Sequence, residues 1–500
     1  MGDTNKKNII GIDFGTSFSQ VAVKHNGIVS RLCDAGNYGV PSLFFYNSTE
    51  GECVGKRAKS QASFDPENLV KEVKMSLNNK YTLDGREYSA KEIVGKIYRA
   101  LVLKAKERGP MQIIDFDLGG VVITHPAEFK MPEVSLLKDA AANCLGPSEP
   151  PINVVGAIKE PVAAALSYFE KAKDGIRNGD GVLVVDVGGG TTDIALVVRD
   201  DTKLAEFEVI DVGMERKGGR DFDQRLFDFV ADKIEEMTNG ERVIRGNFTY
   251  ENYVSEEVNF VKHQLTEAES AIFSPGITYH AAISRGIKVT KQAFEELTKD
   301  LLDDILKIVH KVYDANKDKI DIKHIICVGG SSNMPMIERT ISEHFPECNV
   351  RVDEPEYAVV NGAAIYANKL QEANIQEVDI LPFSYGVRCK SGDKQCIRNI
   401  LIRGDKFPAV GSCKDFKSSN ESNSIQVDVF ESKIKDTIFE FDQNQVEFVG
   451  TITLQSQSLI STTEQIECEL TMNDLSTISI NVAHDSKDQK TATFTIKSAE

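Results

Sequence analysis

The sequence predicts an α/β region at residues 1–371 followed by an all-β region at residues 383–500. Two observations predict the first region. Apolar runs typical of buried strands alternate with segments of helical periodicity, and three of these runs end in glycine- or hydroxyl-rich turns. The second region is predicted by short segments that alternate apolar and polar residues, with polar turns between them. A chain of 500 residues is too long for one hydrophobic core, so two or more domains are expected.

Composition argues against several classes of protein. The formal net charge of −18 disfavours a nucleic-acid partner, which requires a clustered basic surface. No run of about 18 apolar residues occurs, so neither a membrane span nor a membrane partner is predicted. The first residues lack the apolar core of a signal peptide, and the nine cysteines form no Cys-x-x-Cys pair. Reduced thiols in a cytoplasmic protein are therefore expected.

The first strand-like run, at residues 8–14, carries Asp13 near its end. A glycine and two hydroxyl residues follow it, namely Gly15, Thr16 and Ser17. Further along, the spacing of apolar and small residues predicts helices at residues 90–108, 132–144, 162–169, 222–237 and 297–312. The first of these is expected to end at Gly109-Pro110, and a buried strand at residues 121–125 is halted by Pro126.

The central stretch, residues 181–193, repeats the pattern of the first run. A Val/Leu run broken by Asp186 is typical of a strand buried on both faces, and it leads into Gly188, Gly189, Gly190, Thr191, Thr192 and Asp193. Backbone without Cβ can approach a ligand closely and form an anion-binding turn. Two carboxylates beside a phosphate imply a divalent cation between them. The other interpretation is a glycine-rich hairpin closing two ordinary strands.

A third run, residues 325–328, ends in Gly329, Gly330 and Ser331. Three strands that lead into such turns favour related lobes presenting phosphate-binding loops to a shared cleft. The sequence contains no Gly-x-x-x-x-Gly-Lys-Ser/Thr motif, which excludes a P-loop enzyme. No Gly-x-Gly-x-x-Gly follows a strand, which disfavours a dinucleotide fold.

Six motifs, in their order and spacing, resemble the seventy-kilodalton heat-shock chaperone family across nearly the whole chain. They lie at residues 10–17, 121–127, 160–165, 185–193, 218–223 and 327–331. The resemblance implies a two-lobed ATPase domain of the actin/hexokinase type at residues 1–371. It also implies a short apolar linker at residues 372–382 and a β-sandwich at residues 383–500 that holds unfolded, extended hydrophobic peptide.

The resemblance also implies cofactors and the residues that bind them. ATP or ADP, Mg²⁺ and a monovalent cation such as K⁺ are the implied ligands. Asp13, Asp186 and Asp193 resemble the carboxylates that organise the metal and its waters. The first phosphate loop corresponds to Gly15, Thr16 and Ser17, and the second to Gly188, Gly189, Gly190 and Thr191. Gly218 and Gly219 of the fifth motif belong to the same nucleotide site.

Two further residues resemble the family's catalytic groups. Lys74 aligns with a lysine that offsets charge on the terminal phosphoryl group and orients the attacking water. Its alternative is a solvated lysine, of which Lys71 is a nearby example. Glu160 aligns with the acidic residue that positions metal-bound water. Its alternative is an acid at a helix N-terminus, where the dipole favours negative charge.

The resemblance is weaker in the adenosine pocket, which it places on a helix at residues 254–272. Lys262 and Thr266 match the family, but Asn259 stands where Glu is usual and His263 where Arg is usual. Asn333, after Gly329, Gly330 and Ser331, takes the place of a second arginine. Asn can still accept a hydrogen bond, and His can still stack on a purine without a permanent charge. We therefore expect ATP to bind more weakly than is usual in the family, although His263 alone also fits an exposed helix residue.

In the all-β region, seven or eight short strands predict a sandwich. The resemblance places Val387, Phe416, Ile425 and Val427 in the peptide pocket, and ordinary sandwich core is the alternative for each. No helical lid is expected after Glu500, so fast peptide exchange is expected. A J-domain co-chaperone and a nucleotide exchange factor are the implied partners. Val134 stands where the family's relay arginine is usual, so altered coupling between nucleotide and peptide is expected.

Three functions fit these patterns. The first is an ATP-driven chaperone, and the second is a weakly hydrolysing regulator or exchange factor of other chaperones, which the substitutions at Asn259, Asn333 and Val134 keep open. The third is a small-molecule kinase on the same ATPase fold. The predicted β-sandwich and linker disfavour the kinase, because sugar kinases lack both.

Overall fold

The computed structural model describes residues 7–32, 39–113, 116–171, 175–274, 286–373, 381, 383–403, 405, 409–474, 477–484 and 488–495. The chain folds into two compact units, one of residues 1–128 with 140–375 and one of residues 129–139 with 376–500. Most of the predicted linker, residues 374–380 and 382, lies outside the described residues. The boundaries predicted at 371 and 383 therefore stay predictions. No helix within the described ranges is both long and apolar enough to cross a lipid bilayer.

The described residues up to 171 form a mixed main sheet, several helices and two small accessory sheets. Their elements are β1 (Asn8–Phe14), β2 (Phe18–His25), β3 (Ile28–Arg31), β4 (Val40–Pro41), β5 (Phe44–Asn47), β6 (Gly51–Val54), α1 (Lys56–Ala62), β7 (Leu69–Val70), β8 (Lys80–Leu83), β9 (Arg86–Ser89), α2 (Ala90–Gln112), β10 (Leu118–His125), α3 (Met131–Ala142), β11 (Val154–Lys159) and α4 (Glu160–Lys171). The main sheet has the order β11-β10-β1-β2-β3, and the accessory sheets are β6-β5-β7 and β8-β9. β1, β10 and β11 run parallel, whereas β2 and β3 form antiparallel hairpins.

Residues 175–274 and 286–373 form a second main sheet of the same design, together with its helices. Their elements are β12 (Gly181–Val187), β13 (Thr192–Arg199), β14 (Phe207–Glu215), α5 (Gly219–Met237), α6 (Phe248–Glu267), β15 (Ser270–Phe273), β16 (Ile287–Thr290), α7 (Lys291–Leu297), α8 (Lys299–Asn316), β17 (Ile322–Val328), α9 (Pro335–His344), β18 (Asn349–Val352) and α10 (Ala358–Ala373). The order is β14-β13-β12-β17-β18, with β12, β17 and β18 parallel. The two sheets are therefore related, as the repeated runs predicted.

This topology refines the interpretation of the three runs. β1 and β12 occupy equivalent central positions, so Asp13 and Asp186 are counterparts. β17 is instead the counterpart of β10, because each is the parallel neighbour of a central strand. The central stretch is a hairpin, since Asp186 faces Asp193 across β12 and β13. The hairpin interpretation is thus correct for the backbone, and it does not exclude phosphate binding by the turn.

Helix α10 packs onto the first sheet and onto α4 at very close range. A Cβ at Gly362 would collide with the backbone carbonyl of Ala163, and one at Gly11 would lie 2.5 Å from the carbonyl carbon of Ala363. Both positions therefore require glycine. Buried alanines and valines of α4 and α10 line this contact, and they share one apolar core with Val122 of β10 and Val182 of β12.

Two predicted helix ends were wrong. α2 continues through Pro110 to Gln112 instead of stopping at Gly109-Pro110. Proline there removes one backbone hydrogen bond near the helix end, where the following amide of Ile113 still bonds Gly109. The helix predicted to reach Ile272 ends at Glu267, and Ile272 lies in β15, which pairs with β16. The family resemblance placed this helix end too late, because residues 270–273 pair with β16 as a strand.

In the described parts of residues 381–495, every regular element is a strand. They are β19 (Ser384–Ser391), β20 (Lys394–Leu401), β21 (Ala409–Phe416), β22 (Ser422–Ser432), β23 (Ile438–Glu440), β24 (Val446–Ile460), β25 (Ile466–Asp474), β26 (Thr477–His484) and β27 (Asp488–Thr495). Sheets β23-β20-β19-β22-β24 and β21-β25-β26-β27 enclose one apolar core. Nine described strands replace the seven or eight expected. The predicted fold class, α/β followed by all-β, is confirmed.

Candidate functional site

Three aspartates gather where the two central strands end. Asp13 lies near the end of β1, and its carboxylate accepts a hydrogen bond from Thr124 Oγ1 of β10 at 3.0 Å. Asp186 and Asp193 face each other across the β12–β13 hairpin. Thr191 Oγ1 donates to Asp193 Oδ2 at 2.9 Å. The repeated topology thus brings the aspartates of both sheets to one place.

Lys74 provides a cation beside these carboxylates. It lies in the short 3-10 helix Val73–Met75 and is 6% exposed, and its Nζ donates to Glu160 Oε1 at 2.6 Å. Glu160 is the first residue of α4, so it occupies a helix N-terminus and also contacts Lys74. Lys71 is exposed. Of the two lysines weighed in the sequence, only Lys74 therefore lies at the acidic centre.

Electrostatics in this centre favour proton retention in the absence of a cation. Desolvation raises the pKa of Asp13 to about 7, with repulsion from Glu160 adding to the rise and Lys74 and Thr124 opposing it. Desolvation also raises the pKa of Asp193 to about 6, and the bond from Thr191 opposes that rise. The pKa of Asp186 is raised well above its usual range by desolvation and by repulsion from Asp193. A bound cation would therefore be favoured here.

The ammonium of Lys74 stays charged. Burial lowers the pKa of Lys74, but attraction to Glu160 and Asp13, together with the hydrogen bond to Glu160, outweighs burial and raises its pKa overall. One cation thus faces four carboxylates, those of Asp13, Glu160, Asp186 and Asp193. The imbalance leaves a local excess of negative charge that a metal ion can offset.

The glycine turns come together next to the acidic centre. A Cβ at Gly189 would collide with Ser17 Oγ, so the first and second loops approach each other. The amide of Gly219 donates to Gly188 O at 2.9 Å, and Ser331 Oγ donates to the same oxygen at 3.0 Å. A Cβ at Gly218 would lie 2.8 Å from Gly188 O and from the amides of Gly190 and Thr191. Backbone without side chains therefore lines this part of the site, as phosphate binding requires.

Within the first loop, Gly15 is required by packing, and Thr16 is more open. A Cβ at Gly15 would collide with the carbonyl of Phe18, and Ser42 Oγ donates to Gly15 O at 2.7 Å. Thr16 Oγ1 lies 4.0 Å from Met75 Sδ, a weak contact that leaves the hydroxyl available to a ligand. The loop is therefore fixed at its glycine.

The predicted adenosine residues on α6 have protein partners. Lys262 is 8% exposed, and its Nζ lies 2.9 Å from Asp223 Oδ1 and donates to Gly219 O at 3.1 Å. Asn259 Nδ2 donates to Asp223 Oδ2 at 3.1 Å. Thr266 Oγ1 donates to the carbonyl of His263 at 2.7 Å. Lys262 and Asn259 therefore converge on Asp223 of the fifth motif.

His263 and Asn333 lie near a second acidic residue, Glu356. His263 is exposed, and its pKa is lowered first by desolvation and then by Lys262, with Asp223 and Glu356 opposing. The amide of Asn333 donates to Glu356 Oε1, and to Gly330 O at 3.2 Å. Gly330 and Asn333 bound a 3-10 helix that precedes α9. A shallow crevice beside it is lined by Lys262, Thr266, Phe294 and Met334.

Three residues at this site were missed from the sequence, namely Thr124, Asp223 and Glu356. Thr124 and Asp223 lie inside two of the six motifs that resemble the family. The hydroxyl of Thr124 and the carboxylate of Asp223 were therefore signals from which the sequence could have predicted them as site residues. Glu356 follows β18 in Asp353-Glu-Pro-Glu356 and carried no motif. Its role depends on contacts with residues far away in sequence, which a pattern does not reveal.

The residues suit a hydrated metal ion. Among the described residues, no three acidic, histidine or cysteine side chains converge as direct ligands of one metal. Asp13, Asp186 and Asp193 instead surround a common space, and a crevice lined by Glu160, Asp186, Asp193 and Glu128 opens beside them. Mg²⁺ retains most of its waters and binds few carboxylates directly. The donor set therefore fits a cation held through its waters and a phosphate.

The four predicted peptide-site residues divide into two pairs. Val387 of β19 and Val427 of β22 are 1% and 8% exposed and belong to the core of the sandwich. Phe416 of β21 and Ile425 of β22 are partly buried and pack against that core. Only the second pair therefore has surface to offer a peptide in this structure.

The chain has two related lobes, an acidic centre beside glycine turns that meet, and a β-sandwich that follows the lobes. These features define a two-domain nucleotide-binding protein of the actin/hexokinase type. Comparison with known proteins makes this specific. The family model described as "Hsp70 protein" matches residues 9–94 and 77–500. The chain belongs to the Hsp70 family, whose fold generally binds ATP or ADP.

Individual relatives are distant. The chain is 29% identical over 446 residues to "Chaperone protein DnaK" of Thermotoga neapolitana, covering 86% of this chain and 71% of that protein. It is also 29% identical over 462 residues to "Chaperone protein DnaK" of Deinococcus proteolyticus, covering 85% and 69% respectively. The match to the family model, rather than these distant relatives, shows that the chain belongs to the Hsp70 family.

Proposed function

We propose that the chain is a Mg²⁺-dependent ATP hydrolase whose nucleotide state controls the binding of extended apolar peptide by the sandwich. The observation that carries this proposal is the buried Lys74–Glu160 pair among three aspartates, beside the glycine turns. During phosphoryl transfer, negative charge develops on the phosphate groups. A charged lysine among carboxylates is expected at such a site, because its ammonium offsets that charge.

Each residue has a chemical task in this proposal. The amides and glycines of the Gly188–Thr191 turn and of the Gly15–Ser17 loop bind phosphate oxygens. The ammonium of Lys74 stabilises charge on the terminal phosphoryl group and orients the attacking water. Glu160 holds Lys74 and would orient a water of a bound Mg²⁺. Asp193, whose pKa is raised to about 6, is suited to accept the proton of the attacking water near neutral pH.

A bound Mg²⁺ would supply charge neutralisation and orientation of the phosphates. Asp13 and Asp186 would hold it through water, and a monovalent cation such as K⁺ is proposed for the same carboxylates. On the adenosine side, Lys262, Asn259 and Thr266 of α6 would face the nucleoside, with His263 and Asn333 at the edge of the pocket. Gly218, Gly219, Gly329, Gly330 and Ser331 would contribute backbone to the same pocket.

Single-turnover hydrolysis of ATP tests the proposal. Lys74→Ala is expected to lower the rate about 10²–10³-fold, because one preorganised electrostatic group is lost. Lys71→Ala is the matched control, since Lys71 is exposed and three residues away, and its rate should stay unchanged. Binding of Mg-ADP by both variants reports on folding. A Lys74→Ala rate within threefold of wild type would exclude Lys74 as a catalytic group.

Peptide binding is proposed for the sandwich on the family resemblance and on the partial exposure of Phe416 and Ile425. The proposed partners are unfolded, extended hydrophobic segments, a J-domain co-chaperone and a nucleotide exchange factor. Val387 and Val427 are proposed to support the pocket from the core.

The second candidate is a nucleotide-binding regulator or exchange factor with little hydrolysis. The observation in its favour is that Asn259 and Asn333 donate to Asp223 and Glu356, so both amides already have protein partners. Weak nucleoside contacts would follow. The wild-type protein decides between the two candidates, because the regulator binds Mg-ATP and Mg-ADP without measurable turnover, with or without an unfolded client.

A further inference from the structure

An arginine reaches over the second phosphate loop to an acidic residue of the first lobe. Arg220 Nη1 donates to both carboxylate oxygens of Glu72 at 2.6 Å. The Arg220 guanidinium lies 3.8–3.9 Å from the position of a Cβ on Gly190. The amide of Arg220 donates to Gly189 O at 2.7 Å. The backbone of Arg220 is therefore fixed to the loop that is proposed to bind phosphate, and its guanidinium lies beside Gly190 of that loop.

Both partners occupy unfavourable positions. Arg220 lies in the first turn of α5, where the helix dipole disfavours positive charge. Glu72 has a φ of 56°, a left-handed conformation that is uncommon for a residue with a side chain, and it immediately precedes the 3-10 helix that carries Lys74. Such strain tends to collect at functional loops. A nearby anion therefore stabilises Arg220 at this helix N-terminus, and Glu72 supplies that anion in this structure.

The guanidinium has donors to spare. Within the described residues, Arg220 bonds Glu72 through Nη1 alone, so Nε and Nη2 have no hydrogen-bond partner. Arg220 is 56% exposed and Glu72 37% exposed, which leaves the pair open to a ligand and makes it weak by itself. Arginine binds phosphate through parallel N–H donors, and a phosphate carries more charge than one carboxylate.

We propose that Arg220 binds the terminal phosphate of ATP, and that Glu72 holds its side chain over the Gly188–Thr191 loop when that phosphate is absent. This inference rests on the proposed nucleotide function. ADP lacks the terminal phosphate, so Arg220 selects ATP over ADP. Exchange of Arg220 between Glu72 and the phosphate also frees the segment next to Lys74 when ATP enters.

The competing explanation is an ordinary surface ion pair that ties two loops together. The two explanations differ in what removal of each partner does. If Arg220 contacts phosphate, loss of Glu72 leaves that contact intact. If the pair only ties the loops, removing either residue has the same effect.

Stopped-flow binding of mant-ATP and mant-ADP with Mg²⁺, within a time shorter than one turnover, tests the proposal on the full chain. Arg220→Ala is expected to raise the Kd for mant-ATP about tenfold or more, because charge-assisted bonds to phosphate are lost. Its Kd for mant-ADP should stay within about twofold of wild type. Glu72→Gln should keep the ratio of the two Kd values within about threefold of wild type.

Arg225→Ala is the matched control, because Arg225 lies on the same helix and pairs with Asp300 away from the loops. It should change neither Kd. Thermal melting of all variants reports on folding. The proposal is overturned if Arg220→Ala changes both Kd values equally or neither, or if Glu72→Gln reproduces the effect of Arg220→Ala. Wild type that binds neither nucleotide would instead overturn the proposed function, and this inference with it.

Discussion

Gly329 lies where the third glycine turn meets Asp186. Its φ is +81°, and a Cβ there would collide with Asp186 Oδ1 and lie 2.5 Å from Val187 O. Two constraints therefore act together, a left-handed backbone and the absence of space. A methyl group at this position would displace the carboxylate of Asp186, which we propose holds the metal through water.

Gly329→Ala is expected to weaken Mg-ADP binding by about tenfold or more, because Asp186 must move. Gly51→Ala is the matched control, since Gly51 also has a positive φ, of +72°, but its Cβ would meet nothing within 4 Å. That control should lower the unfolding free energy by about 1 kcal/mol and leave nucleotide affinity unchanged. Equal affinities for the two variants in a calorimetric titration would contradict the prediction.

At the scale of residues, the sequence predicted which carboxylates lie together, but not their partners. Asp13, Asp186 and Asp193 were predicted to share a site because each lies at the junction of a strand and a glycine- or hydroxyl-rich turn, and the structure brings the three together. The choice of Lys74 over Lys71 depended on family spacing alone. Its physical reason, a 2.6 Å contact with Glu160, joins residues 86 positions apart and exists only after folding.

At the scale of elements, β22 contains a buried carboxylate that contributes to the stability of the sandwich. Asp428 accepts hydrogen bonds from Thr451 Oγ1 at 2.7 Å and Gln426 Nε2 at 3.2 Å and pairs with Arg388. Desolvation raises the pKa of Asp428, but these bonds and the attraction of Arg388 outweigh it, so its pKa is lowered overall. Because the pKa of Asp428 is lower in the folded chain than in the unfolded chain, where it is about 3.9, the carboxylate stabilises the fold at pH values above about 3.9. That stabilisation is lost as the pH falls through the pKa of the folded chain.

Asp428→Asn is therefore expected to lower the unfolding free energy of the sandwich by about 1–2 kcal/mol at pH 7. The difference from wild type should shrink as the pH falls below about 3.9. Hydrogen exchange of the β22 amides across a urea titration measures it in the full chain. Asp415→Asn is the control, because Asp415 is 72% exposed and its pair with Arg398 lies at the surface. A difference that is constant with pH would contradict the assigned cause.

Elements could be predicted where local pattern and tertiary context agree. Every predicted helix exists, and the strands of residues 181–187 and 121–125 are in place, because continuous apolar runs and amphipathic periodicity both survive burial. The errors occurred at ends. Ile272 was assigned to a helix by the family resemblance, but its backbone pairs with Lys288 of β16, a partner that local sequence does not reveal.

At the scale of the whole molecule, the proposed function requires that nucleotide and peptide affect each other. Coupling between two sites typically changes affinity about 5–150-fold. We expect Mg-ATP to speed release of a fluorescent apolar peptide by a factor in that range over Mg-ADP. Lys74→Ala should retain the acceleration, because it binds ATP without consuming it. Phe416→Ala should weaken peptide binding in both nucleotide states.

Identical release rates with Mg-ATP and Mg-ADP would contradict the coupling and favour the regulator. The substitution at Val134 makes this outcome worth measuring directly. Val134, which the family resemblance aligns with a relay arginine, is 4% exposed, so a buried apolar side chain stands at this position. The order of the domains could be predicted from composition. The strength of the coupling could not, because it depends on the free-energy difference between the ATP-bound and ADP-bound states, which a residue pattern does not reveal.

The position of α10 has a consequence for synthesis of the protein. Its alanines cover Gly11 of β1 and Ala22 of β2, strands that the ribosome makes well before α10. At about 5–20 residues per second, roughly 20–70 s pass between translation of β1 and of α10. Throughout that interval the nascent chain carries an uncovered apolar face. During its own synthesis, this member of a chaperone family is therefore expected to expose apolar surface that needs protection by a chaperone.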